Sequence, residues 1–191
     1  AMTIQYALQQ SINTIPVKLV KTIGPERCYN FLLNKLEFEN LSERDIALSP
    51  MALGGMTYGV TLEEITGAYQ MFVTQGKYVK PYTYTKVTDS EGNVILENEG
   101  ESHVAMQETT AYLMNDMLKN AVNAGTGTSA KFSGMTIAGK TGTTSDNNDR
   151  YFVGYTPYYV AAVWTGYENP EKISYSGNPA ITMWKKVMEQ I

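Results

Sequence analysis

The stretch Ala138 to Gly166, AGKTGTTSDNNDRYFVGYTPYYVAAVWTG, decides how the chain is read. A lysine, a threonine and a glycine open it, and two strongly apolar runs follow. Apolar patterning and turn residues predict three strands, Ile137 to Thr144, Arg150 to Tyr155 and Tyr158 to Gly166. The Thr156-Pro157 turn is short, so the last two form an antiparallel pair. Val160 to Trp164 is apolar on both faces, which predicts a strand covered on both sides. Ala180 to Ile191 reads as a helix packing back on this sheet.

Upstream of that sheet the periodicity is mostly helical. Thr3 to Gln10 places Ile4, Ala7 and Leu8 on one face. Ser11-Ile12-Asn13 interrupts it, and Pro16 suits the first turn of a helix running to Ile23. Gly24-Pro25 separates that from Glu26 to Leu36, where Phe31, Leu32 and Leu36 form an apolar stripe. Leu41 to Gly59 reads as a loop. Thr61-Leu62-Glu63-Glu64 is a capping box, and the helix it starts carries Ile65, Ala68, Tyr69 and Phe72 before Gly76. Tyr84 to Glu97 reads as a short polar hairpin, a small appendage at about 84–97. Met106 to Ala124 is the longest helix, followed by a flexible Gly125-Thr126-Gly127 loop.

Composition narrows the function classes. The 191 residues suit one domain, and an apolar fraction of 43% is enough for a sizeable core. The net charge of -4, with no basic block, argues against nucleic acid as a partner. The 14 tyrosines mostly fall in apolar runs and read as core and cleft-lining residues. The single cysteine, Cys28, excludes an internal disulfide and a cysteine zinc cluster, and reads as a buried structural thiol. The single histidine, His103, reads as an exposed loop residue before a helix. An acyl-transfer site in this chain would therefore take lysine as its base. No segment has the run of roughly 18 apolar residues that a membrane span needs.

Lys140-Thr141-Gly142-Thr143 lies on a predicted strand. Alternation puts Lys140 and Gly142 on one face and Thr141 and Thr143 on the other, unless the strand twists at its edge. Gly142 would let a ligand approach the backbone. Such an edge offers backbone donors, hydroxyls and one ammonium, a receptor for an extended peptide ending in a carboxylate. A plain strand with a solvated lysine is the bland alternative. Ser-x-Asn occurs three times, at Ser11-Ile12-Asn13, Ser145-Asp146-Asn147 and Ser176-Gly177-Asn178. Ser145 to Asn147 has the turn-rich composition of a hairpin loop, and Ser176 to Asn178 lies in a Gly/Pro loop. Ser11 to Asn13 lies between two helices, where Ser and Asn could also serve as caps.

Ser-x-x-Lys, Ser-x-Asn and Lys-Thr-Gly form the motif series of penicillin-binding proteins and serine β-lactamases. Four long stretches resemble one branch: YALQQSINTIPVKL, LGGMTYGVTLEEITGAYQMFVTQGKYVKP, AYLMNDMLKNAVNAGTGTSA and IAGKTGTTSDNNDRYFVGYTPYYVAAVWTGYE. They are similar, in order and over nearly the whole chain, to the transpeptidase domain of bifunctional, class A penicillin-binding proteins. One feature departs from the family: no serine here has a lysine three positions on. The resemblance thus implies residues 1–191 of a partial transpeptidase (penicillin-binding) domain, a C-terminal part without its nucleophile segment. It implies an α/β fold of the α+β type: a helical region, antiparallel strands and a C-terminal helix.

The resemblance also implies the chemistry. A family serine attacks the penultimate D-alanine carbonyl of a peptidoglycan stem peptide, and an amine from another stem resolves the acyl-enzyme. β-Lactams mimic the D-Ala-D-Ala end. Ser11 would relay a proton, and Asn13 would bind the substrate amide. Lys140 would supply positive potential and support the Ser11 hydroxyl. Thr141 and Thr143 would hold the terminal carboxylate beside Gly142, with the Thr143 N–H as an oxyanion donor. No metal and no cofactor is implied. The parent would be anchored to the extracytoplasmic face of the bacterial membrane and carry a glycosyltransferase domain. The fragment would be inactive alone, and its incomplete sheet would invite self-association. A β-lactamase or monofunctional penicillin-binding protein of the same fold, and a non-catalytic cell-wall-peptide-binding module, are the alternatives.

Overall fold

The computed structural model describes residues 2–191. Thr3 caps α1 (Ile4–Gln9) by accepting from the Tyr6 N–H. A tight turn leads to α2 (Thr14–Ile23), which stops at Gly24, and Pro25 opens α3 (Pro25–Lys35). Gly24 has φ 95°, a left-handed value that costs glycine nothing. The 42–59 segment holds a single 3-10 turn, Glu43–Asp45, and a short helix α4 (Leu48–Leu53). The loop expected there is therefore partly helical, because the turn is built around a buried acid. Asp45 is fully buried and accepts from Ser42 N, Thr57 N and Thr57 Oγ1.

The expected capping box starts α5 (Leu62–Val73): Thr61 Oγ1 accepts from Glu64 N, and Glu64 accepts from Thr61 N. Four short strands follow, β1 (Lys77–Val79), β2 (Lys86–Thr88), β3 (Val94–Glu97) and β4 (Ser102–Val104). β2 and β3 make the hairpin, and every residue in them is exposed. β1 pairs with β4, a contact no local pattern signals. His103 sits in β4 rather than in a loop. Its ring contacts the Lys35 carbonyl at 2.9 Å and the Glu37 carboxylate at 3.7 Å. Cys28, on α3, is half-buried rather than buried.

The remaining chain gives α6 (Glu108–Ala124), then β5 (Ala138–Thr143), β6 (Arg150–Tyr155), β7 (Val160–Thr165) and α7 (Pro179–Met188). β5, β6 and β7 form an antiparallel sheet in that order, as expected, with Lys140 opposite Val153. Helices cover both faces. On one, Phe152, Ala161 and Val163 pack with Trp184 and Ile181 of α7. The Phe152 and Trp184 rings meet edge to face at 5.1 Å, and the Trp184 indole N–H donates to the Ala161 carbonyl. On the other, Ala138, Tyr155 and Val160 pack with Leu118 of α6 and Tyr69 and Phe72 of α5. Alternation thus sends each strand's apolar residues into two different cores. β7 is flanked by α5 and α7 as its two-faced apolar pattern predicts. It is also an edge, so its side chains stay half-exposed and Trp164 is 40% exposed.

Candidate functional site

The candidate site forms where the α1–α2 turn meets the open edge of β5. Ser11 occupies the turn with φ 55°, a strained value for a residue with a side chain. Two backbone bonds hold it there, Ser11 N to Leu8 O and Ile12 N to Ala7 O. Lys140, on β5, reaches across: its Nζ donates to Ser11 Oγ at 2.9 Å, over a sequence separation of 129. The same Nζ donates to Thr141 O at 3.0 Å and lies 3.4 Å from Thr141 Oγ1. The Thr141 hydroxyl also meets that of Thr126 at 2.8 Å.

Lys140 has no carboxylate partner within 4.0 Å among the described residues. Burial without a counter-charge disfavours the ammonium and brings its pKa down to about 8. Near neutrality the amine is still mostly protonated. It is an uncompensated positive charge in the middle of an edge strand, which an anionic ligand would stabilise.

The backbone of β5 is also directed outward. Thr144 N donates to Asp149 O of the facing segment. In an antiparallel ladder the hydrogen-bonded pairs alternate. Gly142 and Lys140 therefore bond to β6, while the N–H and C=O groups of Thr141 and Thr143 face the open edge. Side-chain alternation alone would have put Lys140 and Thr141 on opposite faces. At an edge strand the long lysine chain curls over, so ammonium and hydroxyl converge. At Gly142 a Cβ would lie 3.2 Å from Cβ of Tyr151, its cross-strand neighbour, a tight approach that Tyr151 would have to relieve by a few tenths of an ångström.

The expected residues divide accordingly. Ser11, Lys140 and Thr141 are brought together, and Gly142 and Thr143 follow along the same edge. Asn13 lies two residues past Ser11, exposed, with no side-chain hydrogen bond among the described residues. It does not cap α2, although it occupies the N-cap position. Asn178 does cap α7, accepting from Ala180 N and Ile181 N. Ser145 to Asn147 lie in the β5–β6 turn, where Asn147 has φ 59°. Thr126 joins the site from a segment that the sequence presents only as a flexible loop. Its flanking glycines are the available signal, since a Cβ on Gly125 would collide with the Gln9 carbonyl. No cluster of three or more His, Cys, Asp or Glu able to hold a metal ion exists among the described residues.

Comparison with known proteins follows the same lines. Residues 1–189 match the family model described as "Penicillin binding protein transpeptidase domain". The chain is 35% identical over 189 residues to penicillin-binding protein 1A of Clostridium acetobutylicum, covering 98% of this chain and 23% of that protein. Its fold matches the crystal structure of penicillin-binding protein 1A from Haemophilus influenzae, with a TM-score of 0.78, 19% identity and coverage of 98% and 34%. It also matches penicillin-binding protein A from M. tuberculosis in an imipenem acyl-enzyme complex, with a TM-score of 0.80, 15% identity and coverage of 98% and 47%. The chain thus spans about a quarter of the length of the curated relatives it matches.

Proposed function

We propose, from the premise that the chain belongs to the penicillin-binding protein transpeptidase family, that it supplies the substrate-holding part of a peptidoglycan D,D-transpeptidase site. The observation that carries this reading is the Lys140 Nζ–Ser11 Oγ hydrogen bond of 2.9 Å. It joins the Ser-x-Asn turn to the Lys-Thr-Gly strand. A solvated strand lysine or a helix-cap serine would have no reason to make it.

In this reading a serine from outside these 191 residues gives its hydroxyl proton to the lysine of its own Ser-x-x-Lys segment, from which Ser11 relays it onward, and adds to the carbonyl of the penultimate D-alanine. An oxyanion forms, and the outward N–H of Thr143 donates to it. The C–N bond then breaks. Ser11, polarised by Lys140, passes the proton to the departing D-alanine nitrogen. An amine of a second stem attacks the ester, and the serine is restored. Lys140 and the hydroxyls of Thr141 and Thr143 hold the terminal carboxylate, whose charge matches the unpaired ammonium. Asn13 takes the substrate amide. β-Lactams occupy the same edge. The parent protein is proposed to be membrane-anchored, to act on the extracytoplasmic face and to carry a glycosyltransferase domain, as the match to penicillin-binding proteins 1A supports. The open outer edge of β7 supports self-association of the chain on its own. Nothing in the matches favours the β-lactamase or binding-module alternatives.

The test is labelling with a fluorescent penicillin followed by denaturing electrophoresis. The full-length gene product should label at a serine of a Ser-x-x-Lys motif, and these 191 residues alone should not. In the full-length product, Lys140→Ala should slow labelling by ~10² to 10³, the cost of losing one preorganised donor. Specific labelling of a serine in the isolated chain, or full-rate labelling of the Lys140→Ala protein, would refute the reading.

A further inference from the structure

The position of Ser11 poses a problem that its own helix cannot solve. α1 is six residues long, too short to hold its shape by internal hydrogen bonds. Ser11 follows it in a left-handed conformation that the chain would leave if it were free. Something outside α1 must fix the end of that helix.

Gln9 is the residue placed to do so. Its Oε1 accepts from Asn120 Nδ2 at 2.8 Å, and its Nε2 donates to the Ala124 carbonyl at 2.8 Å. Its backbone carbonyl accepts from Thr126 N at 3.2 Å. Asn120 and Ala124 are one turn apart near the end of α6, so one carboxamide spans both. Ala124 O is among the last carbonyls of α6, which lack partners within the helix. Only a group with a donor and an acceptor on one plane meets both demands, which a carboxylate or a leucine cannot. Gly125 leaves room for the approach, because a side chain there would strike the Gln9 carbonyl.

The connection then returns to the site. Thr126, whose N–H Gln9 receives, bonds through its hydroxyl to Thr141. Thr141 adjoins Lys140, and Lys140 bonds Ser11. Gln9, Thr126, Thr141, Lys140 and Ser11 thus close a loop of contacts through α1, α6 and β5. We propose that Gln9 is a positioning residue, whose carboxamide, shared between Asn120 and Ala124, sets the contact between Ser11 and Lys140. The proposal rests on reading those two residues as members of the acyl-transfer site, but it concerns their geometry. It is separable from simple docking of α1, because Ala7 is buried and Leu8 packs against the core of Leu118 and Tyr155 whatever stands at position 9.

The experiment is NMR on the full-length gene product, isotope-labelled at serine and lysine, comparing wild type with Gln9→Leu, Gln9→Glu and Asn120→Ala. Gln10→Ala, at the exposed neighbour, serves as control. Two site signals are read: the nuclear Overhauser contact between Ser11 Hβ and Lys140 Hε, and the Lys140 titration midpoint. Thermal melting is followed in parallel. Both Gln9 variants should lose the Ser11–Lys140 contact and shift the lysine midpoint upward by about one pH unit as water reaches the amine. Asn120→Ala should do the same to a lesser degree while leaving every residue of α1 unchanged, since it removes only the donor to Gln9 Oε1. Gln10→Ala should change neither signal. A Gln9 variant that melts earlier but keeps both site signals would show a docking role only and overturn the proposal. So would variants indistinguishable from wild type. If the Gln9 variants do not fold, an unchanged site in Asn120→Ala overturns it alone. Failure of the transpeptidase reading would appear in penicillin labelling and leave this result untouched.

Discussion

Replacing Lys140 by methionine should stabilise the protein at neutral pH and do so less and less as the pH rises. Burial lowers the Lys140 pKa from 10.5 to about 8, with no counter-charge to offset it. Holding the amine charged in the fold therefore costs roughly 3 kcal/mol relative to the unfolded chain. Methionine keeps the volume and removes that cost. It also removes the hydrogen bonds to Ser11 Oγ and Thr141 O, each worth about 1 kcal/mol. At pH 7 the variant should come out ahead by about 1 kcal/mol, the small difference of these opposing effects. Between pH 8 and 10.5 the unfolded wild-type chain still holds a proton that the folded one has released, so wild-type stability rises with pH. Most of the swing, roughly 3 kcal/mol in favour of wild type, should be complete near pH 10. Urea unfolding of both proteins at about pH 7 and about pH 10 measures it, and tyrosine titrations common to both cancel in the difference. A wild-type–variant difference that does not move with pH, or that moves the other way, would refute the argument. The expected result has a functional meaning. A lysine that weakens the fold at working pH is kept for what it does, not for what it holds together.

Two further outcomes are expected. Asp45→Ala should destabilise by about 3 kcal/mol, because the donors of Ser42 and Thr57 are left without a buried acceptor. Burial pushes the Asp45 carboxyl up, but its hydrogen bonds outweigh this and leave it below its ordinary value. Its contribution is therefore present above the ordinary carboxylate range and lost as pH falls through the folded value, so acid titration of stability should be shallower in the variant. Gly139→Ala should cost roughly 2 to 3 kcal/mol, since its Cβ would lie 2.7 Å from the Val153 carbonyl and 2.9 Å from Gly154 Cα. Calorimetry checks it, and a melting temperature equal to wild type would show that the sheet yields there.

What can be read from the sequence is what is decided locally. The Thr61–Glu64 capping box needs four consecutive residues, and it forms as written. The β5–β7 meander needs only a turn and alternating apolar residues. α4 is hidden because its short run has no side-chain cap and rests on packing against α2 and α3, which are distant in sequence. β1 and β4 are hidden because each is three residues long and the pairing joins Lys77 to Val104. The strand position of His103 is out of sight for the same reason. The site is legible as motif order but not as geometry. Nothing near Ser11 announces Lys140, and nothing near Gln9 announces Asn120. Alternation along β5 even separates Lys140 from Thr141, since it ignores how far a lysine at a sheet edge can reach.

Both strands of the β2–β3 hairpin are exposed, and the hairpin lies within the chain that must loop back to bring Lys140 to Ser11. That loop spans 129 positions. The entropy of closing so long a loop depends only on the logarithm of its length. Deleting the dozen or so residues of the hairpin would change the closure cost by about 0.1 kcal/mol. Gains and losses of length there are thermodynamically almost silent at the Ser11–Lys140 contact. Relatives can therefore differ freely in this segment, in size and in sequence, while keeping the distance between the turn and the strand. The hairpin is also the natural place to graft a reporter or an affinity tag.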